Sequence, residues 1–338
     1  MKEALFWTKR EDGTVKCTLC PHNCVIKESA RGICGVRENR GGTLYSLVWG
    51  KSVAASIDPI EKKPLFHVLP GSKTYSIATV GCNLSCSFCQ NSDISQYPAE
   101  TGKITGQDMP PETVVNEAAG HGCECISYTY TEPTVFMEYV LDISRLAKEK
   151  GILNTIVTNG YTSADVIKSE FPGLMDAANI DLKAFTDRFY RMLCKARLAP
   201  VLDAIKAYYE AGVWIEITTL LIPGENDSAH EVKDIAAFIN SVSADIPWHI
   251  SRYYPRYRYD KAPSTPPASL EKARETGLAE GLKYVYTGNV PGTASENTYC
   301  PSCGNIVLRR MGFSVLENRL SGNTCSNCGN AIAGRFKK

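Results

Sequence analysis

Three cysteines near the end of the first quarter of the chain constrain its fold more than any other feature. Cys82, Cys86 and Cys89 form the pattern C-x3-C-x2-C, directly after the strand-like run Tyr75–Val80. A cubane iron–sulfur cluster normally takes four thiolates, so three closely spaced cysteines would leave one iron without a protein ligand. An open coordination position lets a metal centre take part in chemistry. The alternative is a structural zinc knuckle with a distant fourth ligand, although zinc sites usually group their cysteines as C-x2-C pairs.

Two further groups of cysteines flank this motif, one near each end of the chain. The C-terminal group consists of two C-x2-C pairs, a pattern that predicts a closed zinc ribbon. Its members are Cys300, Cys303, Cys325 and Cys328. The N-terminal group is C-x2-C-P-x2-C with a more distant fourth member. Its members are Cys17, Cys20, Cys24 and Cys34. The N-terminal pattern fits either zinc or an auxiliary iron–sulfur cluster, and zinc is the slightly favoured interpretation. The remaining cysteines, Cys123, Cys125 and Cys194, have no partner spacing.

The composition excludes several classes of protein. A length of 338 residues with 43% hydrophobic residues allows about two domains and a sizeable core. A formal net charge of +1 gives no reason to expect a nucleic acid or a membrane surface as partner. The first ten residues lack the apolar core of a signal peptide, and no apolar run approaches the roughly 18 residues of a membrane span. We therefore expect a cytoplasmic protein.

Strand and helix patterns alternate between the two flanking cysteine groups, which predicts an α/β fold with parallel strands. The predicted strands are Tyr75–Val80, Ile126–Tyr130, Leu153–Thr158, Asn179–Leu182, Val213–Leu220 and Trp248–Ser251. These six strand–helix units are fewer than the eight of a complete barrel. The cysteine groups divide the chain into an N-terminal four-cysteine metal-binding module (1–70), a central partial barrel (71–292) and a C-terminal ribbon-like module (293–338).

Polar side chains stand at or just after the ends of most predicted strands, where parallel sheets bind their ligands. Asn159 follows the third strand, and Asp181-Leu182-Lys183 closes the fourth. Because side chains alternate along a strand, Asp181 and Lys183 lie on the same face. The sequence therefore predicts a ligand site at this edge of the sheet.

The central motif, with Phe88 directly before its last cysteine, resembles the signature of the radical S-adenosylmethionine (SAM) enzymes. The resemblance implies a partial (β/α)6 barrel. It also implies a [4Fe–4S] cluster held by the three cysteines, with SAM bound through its amino and carboxylate groups to the free iron. In that family the second strand ends in a Gly-Gly-Glu-Pro-like motif that meets the SAM amino group. The corresponding run here is Tyr130-Thr131-Glu132-Pro133, with tyrosine and threonine in place of the glycines.

The resemblance also implies roles for residues at the other strand ends. Glu132 would lie near the methionyl ammonium, although an acid at a helix N-terminus is the structural alternative. Asn159 would hydrogen-bond the cofactor or cap a turn. Asp181 would contact the ribose or ammonium of SAM, and Lys183 its carboxylate. The turn that contains Pro223 and Gly224 resembles the family's adenine-contacting turn. His249 corresponds to a cofactor-facing histidine of pyruvate formate-lyase-type activases, with core packing as the alternative.

Longer runs of residues narrow the resemblance. Asp181-Leu182-Lys183 and Ile222-Pro223-Gly224 resemble glycyl-radical-enzyme activases more than other branches. The N-terminal Cys-x2-Cys-Pro, the segments Gly32–Arg37 and Tyr128–Thr134, and the C-terminal ribbon resemble the AmmeMemoRadiSam-system radical SAM enzymes. This resemblance covers nearly the whole chain. It implies reductive cleavage of SAM to a 5′-deoxyadenosyl radical that abstracts hydrogen from a substrate.

The substrate class follows less directly. A protein partner, as for a glycyl radical enzyme activase, is the leading hypothesis, and radical modification of a small molecule or peptide is the alternative. An external low-potential electron donor such as ferredoxin or flavodoxin is implied, since the chain has no flavin or nicotinamide motif. A metal-stapled nucleic-acid-binding module is a third hypothesis, because Arg252–Tyr259 interleaves basic and aromatic residues. The near-neutral net charge argues against it.

Overall fold

The protein is described here by a computed structural model, which covers residues 1–290 and 292–337. A large central sheet is flanked by small sheets formed by the two ends of the chain. The N-terminal strands are β1 (Lys2–Glu3), β2 (Trp7–Lys9), β3 (Val15–Cys17), β4 (Val25–Ile26), β5 (Arg37–Arg40), β6 (Thr43–Ser46) and β7 (Lys51–Ser52). The strands of the central sheet are β8 (Ala54–Pro59), β9 (Lys73–Ala78), β11 (Cys125–Tyr128), β12 (Leu153–Thr158), β13 (Ala177–Asp181), β14 (Trp214–Leu221), β15 (Trp248–Arg252) and β16 (Val285–Gly288), whereas β10 (Gln107–Asp108) pairs with β7. The C-terminal strands are β17 (Thr298–Tyr299), β18 (Ile306–Met311), β19 (Ser314–Asn318), β20 (Leu320–Ser321) and β21 (Thr324–Cys325).

The central sheet carries the architecture. Within the described residues it has eight strands in the order β16-β15-β14-β13-β12-β11-β9-β8. All neighbours are parallel except β8, which pairs antiparallel with β9 at one edge. Strands β11 to β16 follow chain order, as expected when helical crossovers connect parallel neighbours. The predicted α/β class with a parallel sheet is confirmed.

The sheet extends beyond the six predicted strands by β8 and β16. Strand β8 has the sequence Ala-Ala-Ser-Ile-Asp-Pro, and small residues, an aspartate and a proline are all depleted in strands. Strand β16 has only four residues, which is too short to show a periodic pattern. Each of these two edge strands is stabilised by pairing with the strand beside it. No local sequence pattern indicates such pairing.

The longer α-helices pack against the sheet or against one another, and nine α-helices lie in the described part of the chain. They are α1 (Ser92–Ser95), α2 (Tyr97–Thr101), α3 (Pro111–Gly120), α4 (Met137–Glu149), α5 (Ala164–Glu170), α6 (Asp187–Phe189), α7 (Leu198–Glu210), α8 (Ala229–Val242) and α9 (Pro267–Ala279). Helix α4 shows the packing principle, since Tyr139, Ile143 and Ala147 recur every four residues and are fully buried. No helix in the described part of the chain has the length and apolarity needed to cross a membrane.

The C-terminal sheet is anchored to the barrel by a buried arginine. Arg310 of β18 donates from Nη2 to the Phe66 carbonyl at 2.7 Å, and its guanidinium lies 4.3 Å from the centre of the Phe66 ring. Its Nε lies 3.6 Å from Oε1 of Glu61, and both side chains are fully buried. A buried ion pair of this kind is costly to break from one side, because the remaining charge loses its partner.

His67 lies beside this anchor and is held in its neutral form. Its Nδ1 donates to the Ala333 carbonyl at 2.6 Å, so Nε2 accepts from the Tyr286 hydroxyl, also at 2.6 Å. The ring is fully buried, and burial lowers the pKa of His67 to about 4. Because an unfolded chain binds this proton near pH 6.5, acidification favours unfolding.

We expect His67 to make the protein less stable as the pH falls. The folded pKa is below the unfolded one, so the stabilising contribution is complete above about pH 6.5 and is lost progressively towards pH 4. At pH 5 the loss from this group is about 2 kcal/mol. Urea unfolding at pH 7 and pH 5 should show a smaller pH dependence for His67→Gln than for the wild type. His121→Gln, at an exposed position, is the control. An unchanged pH dependence in His67→Gln would contradict the assignment.

Candidate active site

A cavity of about 460 Å³ lies at the carboxyl ends of the parallel strands. Nine of the residues predicted from the sequence line it together. They are Cys82, Cys86, Phe88, Cys89, Thr131, Glu132, Asn159, Asp181 and Lys183. Because parallel strands end at the same edge of a sheet, residues from four loops that are distant in the sequence meet here.

The cysteine loop follows β9, and hydrogen bonds orient its sulfurs. Sγ of Cys82 accepts from the backbone N–H of Leu84 at 3.3 Å and lies 3.6 Å from Nδ2 of Asn159. Sγ of Cys89 lies 3.3 Å from the hydroxyl of Ser95. Polar neighbours around a thiolate sulfur stabilise its negative charge, as they do around metal-bound cysteines.

A π-helical turn at Tyr190–Cys194 supports the loop from behind. The backbone N–H of Ser85 donates to the Cys194 carbonyl at 3.1 Å, and that of Ser87 donates to the Leu193 carbonyl at 2.9 Å. Turns of this type recur at functional sites. The sequence analysis missed this support because Cys194 has no partner at a recognisable spacing.

Glu132 connects the ends of β11 and β12. Its carboxylate accepts four hydrogen bonds, from the backbone N–H and hydroxyl of Thr134 at 3.0 and 2.6 Å, from the Thr158 hydroxyl at 2.8 Å and from the Asn159 N–H at 2.8 Å. Burial raises the pKa of Glu132 above its ordinary value, and these donors oppose that rise. The bond from the Thr134 N–H also caps the 3-10 helix Pro133–Phe136. Glu132 therefore has the role at a helix N-terminus that is the structural alternative to a contact with SAM.

Asp181 and Lys183 share a face of the chain, as their alternation predicts, and they form an ion pair with Nζ and Oδ2 2.7 Å apart. Burial alone would lower the pKa of Lys183, but the carboxylate of Asp181 raises it well above its ordinary value. Lys183 is therefore a permanent cation at the cavity wall, neutralised by its neighbour.

Tyr130 occupies a left-handed backbone conformation, with φ of 64°. Glycine adopts this conformation without steric cost, whereas a non-glycine residue pays roughly 1 kcal/mol or more. Here the conformation is held by a hydrogen bond of 2.8 Å from Nδ2 of Asn91 to the Tyr130 carbonyl and by a hydrogen bond from the Tyr130 hydroxyl to Asp58.

The segment that follows β8 adds charged residues to the cavity that are not predicted from the sequence. Lys63 and Lys62 both line the cavity and donate to Asp58, at 2.7 and 2.8 Å. Burial alone would raise the pKa of Asp58, but hydrogen bonds from Lys62, Lys63 and Tyr130 hold it well below its ordinary value. Burial lowers the pKa of Lys63 to about 8. No sequence signal was available for Asp58, because β8 is not predicted, or for the two lysines that follow this strand.

Three predicted contacts lie outside the cavity wall. His249 is one layer deeper in the barrel, where its Nε2 is 2.7 Å from Oε2 of Glu216 and its ring stacks on Tyr286. Alternation along β15 puts His249 and Ser251 on the same face, but only Ser251 lines the cavity. Pro223 and Gly224 lie in the turn after β14, and the N–H of Gly224 donates to Asp227 at 2.8 Å.

The flanking cysteine groups each converge in space. The C-terminal four have all their sulfurs within 4.8 Å of one another, with Cys300–Cys328 at 3.6 Å and Cys303–Cys325 at 3.8 Å. This arrangement is able to hold a metal ion. The N-terminal four line a small cavity of about 20 Å³ on the other side of the central cysteine loop.

Comparisons with known proteins agree with the geometry of the central site. A family model described as the radical SAM superfamily matches residues 76–239, which include the cysteine loop and the strand ends up to β14. A protein of Methanocaldococcus jannaschii, described as uncharacterized, is 44% identical over 335 residues, covering 98% of this chain and 99% of the relative. The pyruvate formate-lyase-activating enzyme of Clostridium pasteurianum is 25% identical over 177 residues, or 51% of this chain and 71% of that enzyme.

Solved structures show the same fold. The crystal structure of a radical SAM methyltransferase from Sphaerobacter thermophilus matches with a TM-score of 0.51 and 16% identity, covering 67% of this chain and 70% of that one. At this identity the likeness concerns the fold alone. The cysteine motif, the parallel sheet with its site at the carboxyl edge, and the matching family and relatives lead to one conclusion: the chain belongs to the radical SAM superfamily.

Proposed function

We propose that this protein cleaves SAM reductively and uses the product radical to abstract hydrogen from a protein substrate, in the manner of an activating enzyme. One observation carries the proposal. Three thiols, an Asp–Lys ion pair and the Glu132 strand end converge on one cavity at the carboxyl edge of the sheet. The family implies a [4Fe–4S] cluster and SAM at such a place.

The donor set of the cavity fits the implied cluster. Cys82, Cys86 and Cys89 all line the cavity. In the described part of the chain, their three sulfurs do not all lie within 4.8 Å of one another. One zinc ion would need sulfurs about 3.8 Å apart, from Zn–S bonds of about 2.3 Å in a tetrahedron. A cubane bonds each thiolate to a different iron and accepts wider spacing. This argues against the zinc knuckle. The volume of about 460 Å³ also suits a small-molecule ligand.

When bound, the cluster and SAM supply a 5′-deoxyadenosyl radical through one-electron reduction of the sulfonium. The proposed ligands of three irons are Cys82, Cys86 and Cys89. The proposed contacts of SAM are Phe88, Thr131, Glu132, Asn159, Asp181, Lys183, Pro223, Gly224 and His249. Of these, the last three lie outside the cavity wall and depend on the family pattern alone.

The ion pair of Asp181 and Lys183 is suited to a zwitterion. The methionyl group of SAM carries an ammonium and a carboxylate, which have the same charges as the two side chains. Lys183 would donate to the carboxylate, while Asp181 would accept from the ammonium or a ribose hydroxyl. Exchange of partners keeps the buried charge balanced, so binding leaves no unpaired ion in the cavity.

A protein substrate is supported by the similarity to an enzyme named for activating pyruvate formate-lyase. The nucleic-acid alternative loses support from the placement of the basic–aromatic segment. Tyr253 and Tyr259 are buried, and the Tyr253 hydroxyl donates to the Tyr259 carbonyl at 2.6 Å. Arg258 pairs with Glu100 at 2.8 Å. Tyr254 is exposed, but the two buried tyrosines are not free to stack on bases.

The remaining parts of the proposal concern the modules and the electron supply. We propose zinc for the C-terminal cysteines, because their S–S spacing is that of a tetrahedral site. We propose that the chain consists of an N-terminal module (1–70), a partial barrel (71–292) and a C-terminal ribbon (293–338). The electron would come from an external low-potential donor of the ferredoxin or flavodoxin class.

Alanine at any one of Cys82, Cys86 or Cys89 should abolish formation of 5′-deoxyadenosine from SAM under anaerobic conditions with dithionite, because each removes a thiolate ligand of the cluster. Product analysis by chromatography measures this directly. Cys123→Ala is the matched control, since Cys123 is buried away from the cavity and should retain cleavage. Retained cleavage in any of the three central variants would refute the assignment.

Glu132→Gln should lower the free energy of unfolding by about 1–3 kcal/mol without any ligand, because a glutamine nitrogen would face N–H and O–H donors. Urea unfolding in the absence of SAM measures this effect. Glu112→Gln, at an exposed position in the first turn of α3, is the control. Equal stability of wild type and Glu132→Gln would show that the four hydrogen bonds do not hold the strand ends together.

The protein-substrate proposal predicts a carbon-centred radical on a polypeptide. Electron paramagnetic resonance (EPR) after anaerobic incubation with SAM, a reductant and co-purifying polypeptides should detect it, and Cys86→Ala enzyme should give no signal. A modified small molecule or peptide, formed without any polypeptide radical, would instead establish the alternative substrate class.

A further inference from the structure

The N-terminal cysteines form a second convergent thiol site. Cys17 lies in β3, Cys20 and Cys24 lie in the following turn region, and Cys34 comes from the segment before β5. All four line the cavity of about 20 Å³, which is separate from the candidate active site. Four thiols that face one small cavity are a metal-binding donor set, because reduced cysteines gain nothing from mutual proximity.

The spacing of these sulfurs distinguishes them from the C-terminal group. The C-terminal sulfurs lie within 4.8 Å of one another, as zinc requires. No three of the N-terminal sulfurs meet that limit, although all four cysteines are among the described residues. The central three behave in the same way. In the described residues, the N-terminal site and the proposed cluster site therefore both lack the close grouping of sulfurs that the ribbon has.

A buried cation faces the N-terminal site. Arg37 lines the cavity and is 2% exposed, with Nη1 at 2.9 Å from Oε1 of Glu138. Its Nε has no hydrogen-bond partner in the part of the chain that the structure describes. A buried N–H without a partner is destabilising. An anionic group bound by the four thiolates would accept from it, since both thiolate and bridging sulfide are acceptors.

The site also adjoins the central cysteine loop. Asn83, the neighbour of Cys82, lines the N-terminal cavity, and its carbonyl accepts from Nε2 of His22 at 2.7 Å. Gly81 has a φ of 105°, and a Cβ there would lie 3.1 Å from the Cys34 carbonyl. The two thiol sites are thus in direct contact through one short segment of chain.

We propose that Cys17, Cys20, Cys24 and Cys34 bind a second iron–sulfur cluster, fully ligated by protein, rather than zinc. Four protein thiolates leave no open iron, so this cluster does not bind SAM. The assignment goes beyond the proposed SAM chemistry and does not depend on it.

Metal analysis and spectroscopy of anaerobically reconstituted full-length protein test the proposal. The decisive variant is Cys82→Ala/Cys86→Ala/Cys89→Ala, which removes the central ligands and leaves the N-terminal four intact. It should retain about two to four iron atoms per chain, the content of a four-cysteine cluster. Its EPR signal after reduction should not change when SAM is added, because its cluster has no open iron.

Two further variants complete the design. Cys20→Ser/Cys24→Ser should lose that share of iron and keep its zinc. Cys303→Ser/Cys328→Ser should lose about one zinc and keep all its iron. The proposal is overturned if the central triple variant contains no iron and about two zinc atoms per chain. If Cys20→Ser/Cys24→Ser does not fold, the triple variant alone gives the answer. Absence of SAM cleavage in the wild type would refute the proposed function without affecting the iron count.

Discussion

The candidate active site depends on one buried carboxylate. Glu132 receives hydrogen bonds from the ends of two strands, and one of its donors, Asn159, reaches in turn to Cys82 and Asn83. Without this carboxylate, several buried N–H and O–H groups would lack acceptors at the edge of the sheet where the cavity opens. The loop that carries the cysteines is therefore positioned by the sheet. A cofactor bound to this loop would be held in place by rigid strands.

Sequence reasoning predicted the parts of this site that have local signals. Cysteine spacing and alternation along strands indicated Cys82, Asp181 and Lys183 as site residues, and in the structure all three line one cavity. Alternation predicts which face of a strand a side chain occupies, but not how deep in the barrel it lies. The sequence therefore did not reveal that His249 lies one layer below the cavity. The role of Asp58 could not be predicted from the sequence, because its contact with Tyr130 depends on the pairing of β8 with β9.

The three cysteine groups illustrate how much information lies in distances rather than in spacing along the chain. The C-terminal and N-terminal groups both contain a C-x2-C pair, so their sequences favour zinc at each. Their folded arrangements differ, because the ribbon brings its four sulfurs within 4.8 Å of one another, whereas in the described residues no three of the N-terminal sulfurs, which line a small cavity, lie that close. The partnerless Nε of Arg37, which the sequence does not reveal, adds a demand for negative charge at the N-terminal group.

The insertion of Arg310 into the barrel has a consequence for folding cooperativity. Unfolding of the ribbon alone would cost more than the loss of the contacts within the ribbon. It would also leave Glu61 buried without its charge partner, Arg310. Several kcal/mol of that penalty would fall on the barrel. The two parts should therefore melt in one transition, so that metal bound by the ribbon protects the barrel against unfolding as well. The proposed boundary near residue 293 would therefore not separate two units of stability.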